Sequence, residues 1–88
     1  MNTEPLKAEH LKKIESDFSR PDCDTAISLL STIKLDHVMA YSQHNLDNTR
    51  SAILQLSGGD LAQLESLVTA AKKDFRDVIY WASLERNT

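Results

Sequence analysis

The sequence predicts an all-α fold, a compact bundle of four or five helices that are mostly antiparallel neighbours. Apolar residues recur every three to four positions through most of the chain. No stretch alternates strictly between apolar and polar residues, and the β-branched residues sit inside helical repeats. Two glycines and two prolines among 88 residues leave little for long loops. The length fits one domain over 1–88, with a radius of gyration of about 12 Å and frayed ends at 1–3 and 86–88. A core this small leaves self-association a useful supplement.

The first helix is expected over 4–18. Pro5 would occupy its opening turn, and Leu6, Leu11, Ile14 and Phe18 fall at helical intervals. Pro21 then interrupts, and Asp22 or Asp24 offers an N-cap for a second helix over 23–33, carrying Ala26, Ile27, Leu29, Leu30 and Ile33.

Leu35 and Asp36 read as a staple residue and an N-cap, and the next strong stop is Gly58–Gly59. Between them lies AYSQHNLDNTRS, residues 40–51, in which Leu46 is the sole large aliphatic side chain. A third helix over 37–57 reconciles that polarity with the flanking pattern. With His37 as zero and about 100° per residue, Val38, Met39, Leu46, Ile53 and Leu56 lie between roughly 100° and 200°. His37, Tyr41, His44, Asn48 and Gln55 lie within about 40° of zero, as a polar stripe on the opposite side. A break near Asn45 is the alternative.

Asp60 with Gln63 has capping-box spacing and opens a fourth helix over 60–72, whose inner side is Leu61, Leu64, Leu67, Val68 and Ala71. Asp74 and Asp77 repeat the spacing, so a fifth helix is read over 74–85 with Phe75, Val78, Ile79 and Ala82 inward. One long bent helix over both stretches is the alternative. Tyr80 should project outward and Trp81 should lie at the edge, capping the core or anchoring an interface.

Composition excludes several functions. The net charge is −3, and the cations are scattered with only Lys12–Lys13 and Lys72–Lys73 adjacent, which argues against nucleic-acid binding. No apolar run approaches the roughly 18 residues of a membrane span. Cys23 is the sole cysteine, so no intrachain disulfide can form. With no signal-peptide pattern at the N-terminus, a cytoplasmic setting is expected.

No metal or other cofactor is implied. His37 and His44, about 10 Å apart along a helix, do not suit one zinc ion, and all three histidines read as exposed polar residues. Asp22 and Asp24 flank Cys23 and disfavour a nucleophile there, while no serine carries a nucleophile motif. The glycines of LSGGD are explained by a helix end, and Asp74 with Asp77 by a helix start.

The segments HNL at 44–46, LSGGDL at 56–61 and DFRDVI at 74–79 resemble those of small uncharacterised bacterial helical proteins with HNL, LSxGDL and DxRDVI-type motifs. The resemblance runs from about His37 to Ala82. It implies a bacterial helical domain and brings no activity or ligand with it.

Two functional expectations follow. The first is a non-catalytic interaction module, homodimeric or of an inhibitor or immunity type, that meets a protein partner through His37, Tyr41, His44, Asn48 and Arg50 or through Tyr80 and Trp81. The second is a small enzyme or ligand-binding protein whose site is assembled around the helix-three stripe.

Overall fold

A computed structural model describes residues 6–86. Five helices, α1 (Ala8–Asp17), α2 (Arg20–Ser31), α3 (Gln43–Ser57), α4 (Leu61–Lys73) and α5 (Phe75–Arg86), form an all-α bundle, with no strand among the described residues. The radius of gyration is 12.0 Å, the value expected for a single domain of this length. Pro5 and the termini at 1–3 and 87–88 lie outside the described residues, while Arg86 completes α5.

Three helix starts differ from the sequence expectation: α1 begins at Ala8, with Lys7 extended ahead of it, not at 4. Helix α2 begins at Arg20, not at 23, and Pro21 lies in its first turn instead of interrupting it. There a missing N–H removes no helical hydrogen bond, and the fixed φ suits the start. Neither Asp22 nor Asp24 is the cap; Ser19 holds that position in extended conformation.

The larger correction concerns the third helix. Leu35–His37 and Met39–Tyr41 form separate 3₁₀ turns, and Ala40 and Tyr41 have left-handed φ values of 60° and 50°. Helix α3 starts only at Gln43, where the Ser42 hydroxyl accepts the Asn45 N–H at 3.1 Å. It then runs unbroken through Asn45. The Asn45 side chain instead reaches back to donate to the Met39 carbonyl at 3.3 Å, fastening the turn to the helix.

Helix α3 is the centre of the bundle and packs against α1, α4 and α5. Leu46, Thr49, Arg50, Ala52, Ile53, Leu54 and Ser57 are all buried, so most of its circumference faces protein. Lys7 pairs with Asp47 at 3.5 Å and His10 with Ser51 at 2.9 Å, so α1 runs in the same sense as α3. Asn45 and Asn48 face the first half of α5, while Gln55 donates to the Ala82 carbonyl at 3.1 Å and to Glu85 at 3.2 Å. Helices α3 and α5 therefore also run in one sense, with the shorter connections between sequence neighbours turning the chain back.

Gly58 ends α3 in the left-handed conformation that favours glycine at this position. Asp60 caps α4 by accepting the Gln63 N–H at 3.1 Å, as its spacing predicts. Its own N–H goes to the Ser57 carbonyl, so the helix-three end occupies the other half of the predicted box. Asp74, with φ −158° and ψ 102°, separates α4 from α5 and accepts the Arg76 backbone N–H and the Nε and Nη2 protons of its guanidinium at 2.9–3.1 Å.

The core is continuous through Ile14, Leu30, Ile33, Leu46, Ile53, Leu64, Val78 and Ala82, drawn from all five helices and the α2–α3 connection. Burial of this kind of side chain contributes roughly 1.5–3 kcal/mol each before chain entropy is set against it.

Candidate functional site

The predicted stripe does not form one surface. A left-handed turn at Ala40–Tyr41 breaks the helical phase, so angles counted from His37 do not carry to His44. His37 belongs to a 3₁₀ turn and Tyr41 projects from the left-handed one, whereas His44 and Asn48 share a face of α3 and are hydrogen-bonded at 3.1 Å. Met39, placed inward by the periodicity, is exposed for the same reason. Gln55 leaves the stripe to join α5.

Arg50 is not a surface group. It is fully buried, and one guanidinium nitrogen donates to the Ile33 carbonyl at 2.9 Å, where α2 gives way to the 3₁₀ turns. A buried guanidinium bound to main chain positions backbone and does not greet a partner.

The histidines have structural explanations that spacing alone did not suggest. Lys7-Ala-Glu-His10 and Lys34-Leu-Asp-His37 repeat one pattern, and each opens a helical turn. In both, the imidazole Nδ1 accepts the N–H of the lysine three residues earlier, at 3.4 Å for His10 and 3.0 Å for His37. Each histidine thereby satisfies a backbone donor left over at a helix start.

His10 is buried, contrary to the expectation of exposure. Because Nδ1 accepts, Nε2 carries the proton and donates to Ser51 Oγ at 2.9 Å. Burial pushes its pKa below the ordinary histidine value, against the opposing pull of Glu9 and Asp47 and with the added effect of Arg50. This tautomer matters for chemistry. A general base would have to present an unprotonated nitrogen to the serine hydroxyl, and here the nitrogen facing Ser51 is the donor. The pair docks α1 onto α3 and does not activate a nucleophile.

Cys23 is half-buried, and its thiol points to the carbonyl of Ser19 at 3.5 Å and to those of Ile14 and Phe18 at 3.8 Å. Those contacts tie α2 to the end of α1. Among the described residues no three His, Cys, Asp or Glu side chains cluster as metal ligands. No helix among them is long and apolar enough to cross a membrane.

One feature does unite both sets of predicted contact residues. Asn45 and Asn48 of α3 and Phe75, Ile79, Tyr80 and Ser83 of α5 line a groove of about 450 Å³. Asn48 from the stripe and Tyr80 from the last helix thus share one surface. Tyr80, on its wall, is exposed, as are Trp81 and Leu84 of the same helix and Met39 and Tyr41 of the left-handed turn, by 42 to 70%; Leu11, at 37%, is the one further large exposed apolar side chain among the described residues. Trp81 is more exposed than a core-capping residue would be. Met39 was not legible as a surface residue, since its exposure depends on the left-handed turn, whereas Leu84 lies one helical turn beyond Tyr80 and shares its outward angle.

Comparison with known protein families, curated proteins and solved structures returned no match.

Proposed function

We propose that this chain is a non-catalytic, cytoplasmic interaction module that meets a protein partner through the α3–α5 groove and the outer side of α5. One observation carries the reading. Among the described residues, five of the six large exposed apolar side chains sit on the 39–41 turn and on α5, and α5 borders the groove through Tyr80. Single exposed apolar residues are ordinary, whereas a concentration of this kind with a rim of amides and hydroxyls has the composition of a contact surface. Tyr80 and Trp81 are the residue types that most often anchor one.

The enzyme reading draws no comparable support. His10 and His37 spend an imidazole nitrogen on a helix start, and His44 is tied to Asn48 on an exposed helix face.

Cross-linking in cell lysate, with the natural chain and a Tyr80→Ser, Trp81→Ser double variant as baits, tests the proposal. Cross-links concentrated at 39–41 and α5, and lost in the folded double variant, are the expected result. Cross-links that ignore α5, or capture unaffected by the double variant, would sink it.

A further inference from the structure

Residues 39–42 are bent against their own pattern. Met39 lies seven residues before Leu46 and fourteen before Ile53, both buried, so on one continuous helix it would fall within about 40° of them. The chain turns away instead. Among the described residues Ala40 and Tyr41 are the only non-glycines with positive φ, and they are adjacent. Neither type favours that conformation, and alanine is the best helix former of all. Strain of this kind, in a segment that has a relaxed alternative, is characteristic of switch regions.

We propose that residues 39–42 are a two-position switch, in which the left-handed turn exchanges with one further turn of α3. Three side-chain bonds hold the bent form. Ser42 Oγ accepts the Asn45 N–H at 3.1 Å, the Asn45 amide donates to the Met39 carbonyl at 3.3 Å, and His37 Nδ1 accepts the Lys34 N–H at 3.0 Å. None of them is fully buried, so each holds weakly. In the straight form the N–H groups of Gln43 and His44, which open α3, would gain the Met39 and Ala40 carbonyls as partners four residues back, and the left-handed strain would be relieved.

Packing is exchanged as well. In the bent form Val38 is buried and Met39 exposed. In phase with α3, Met39 would point with Leu46 and Ile53, while Val38 would take the direction of half-buried Asn45. One apolar side chain turns toward the core as another leaves it, which keeps the two forms close in stability and the bent one, with Val38 in place, the major form. The connection supplies the slack. The added turn takes up about 6 Å, whereas residues 34–38 can span roughly 17 Å when extended, so the Leu35–His37 turn can open while the Ile33 carbonyl stays on Arg50.

The exchange would change the α3–α5 groove. Asn45 lines it, and in the bent form its amide is engaged by the Met39 carbonyl. In the straight form that amide is released, and Tyr41 comes within about 20° of Asn48, on the groove side of α3. A partner in the groove would then select between the forms. Only this use of the switch rests on the interaction-module reading; the exchange itself does not.

Nuclear magnetic resonance of the full chain, with relaxation dispersion and Cα shifts read at 38–44, tests it. Exchange on the microsecond to millisecond scale is expected there, with a minor form of about 1–10% whose shifts at 39–42 are helical. Ser42→Ala removes the cap of the bent form and places a better helix former in the straight one, so it should raise the minor form about fivefold. Ala40→Gly favours the bent form on both counts and should lower it about tenfold. Ser42→Ala with Asn45→Ala should raise it further, with amide protection gained at Gln43 and His44. Unchanged protection in α4 and α5 confirms that each variant is folded.

Flat dispersion at 38–44 in both the natural chain and the double variant overturns the switch. So does a Ser42→Ala chain that loses stability without helical shifts at 39–42, or exchange that Ala40→Gly leaves unaltered. Exchange as expected in a chain whose lysate cross-links bypass α5 would keep the switch and remove the contact surface. Cross-links centred on α5 without exchange would remove the switch alone.

Discussion

Gly59 lies against the backbone carbonyl of Asp17, so close that a Cβ added to the glycine would collide with the oxygen. The turn between α3 and α4 thereby closes directly on the end of α1, which it could not approach with a side chain in the way. Gly58, one residue earlier, also has positive φ but faces open space.

The pair separates two roles of glycine. Gly58→Ala should cost about 1 kcal/mol, the expense of a left-handed alanine. Gly59→Ala adds a backbone collision to that conformational cost and should lose roughly 2–4 kcal/mol. In a domain of this size each kcal/mol shifts Tm by about 4–8 °C, so thermal unfolding resolves the difference. Equal losses at the two positions would contradict the close approach.

Ala40 and Tyr41 carry the opposite strain, two consecutive residues with side chains in a conformation that suits glycine. Relief at Ala40 should outweigh the added chain entropy. Ala40→Gly is expected to stabilise by roughly 0.5–1 kcal/mol, and Ala40→Val to destabilise by more than 1 kcal/mol. Denaturant unfolding checks both. A valine tolerated without loss would mean that the 39–41 turn is right-handed in solution and that the predicted helix 37–57 deserves reconsideration.

Arg50 distinguishes a structural residue from a contact residue. Truncation to alanine would leave a buried space and deprive the Ile33 carbonyl of its donor. The expected loss is about 3–5 kcal/mol, measured by urea unfolding. A variant of near-normal stability with altered association would instead restore Arg50 to the surface role suggested by its neighbourhood in the sequence.

Periodicity made much of this architecture legible. Ile14, Leu30, Leu46, Ile53, Leu64 and Val78 repeat at helical intervals and are all buried, and the cap at Asp60 and the break at Asp74 follow from residue type and spacing. The left-handed turn was illegible because Ala40 and Tyr41 are not residues that favour positive φ, and the bond from the Asn45 amide to the Met39 carbonyl that fastens it exists only once the turn has formed. Arg50 looked like a surface charge because its burial depends on the α2–α3 connection, which no local pattern reveals. Tyr80 was readable as outward from angle alone. Its groove was not, since Asn48 and Tyr80 meet only through the packing of α3 against α5.

Acid should loosen the contact between α1 and α3 through His10. The folded protein holds its pKa below 6.5 because the ring is buried, with Glu9 and Asp47 pulling the other way and Arg50 reinforcing the depression. A base with a depressed folded pKa binds more proton when unfolded, so its neutral form contributes stability that is complete above about pH 6.5 and declines as pH falls toward the folded value. The proton would also arrive on Nδ1, which faces the Lys7 N–H and has its acceptor role there. One such group can impose a slope of at most about 1.4 kcal/mol per pH unit. His10→Gln keeps an acceptor and a donor in the side chain but removes the titration. Urea unfolding between roughly pH 7.5 and 5 should therefore show a weaker decline in the variant than in the natural chain. His37 and His44 remain in both proteins, so the difference between the two curves isolates His10; identical slopes would mean that His10 does not titrate differently on folding and that its burial at the α1–α3 contact is not kept in solution.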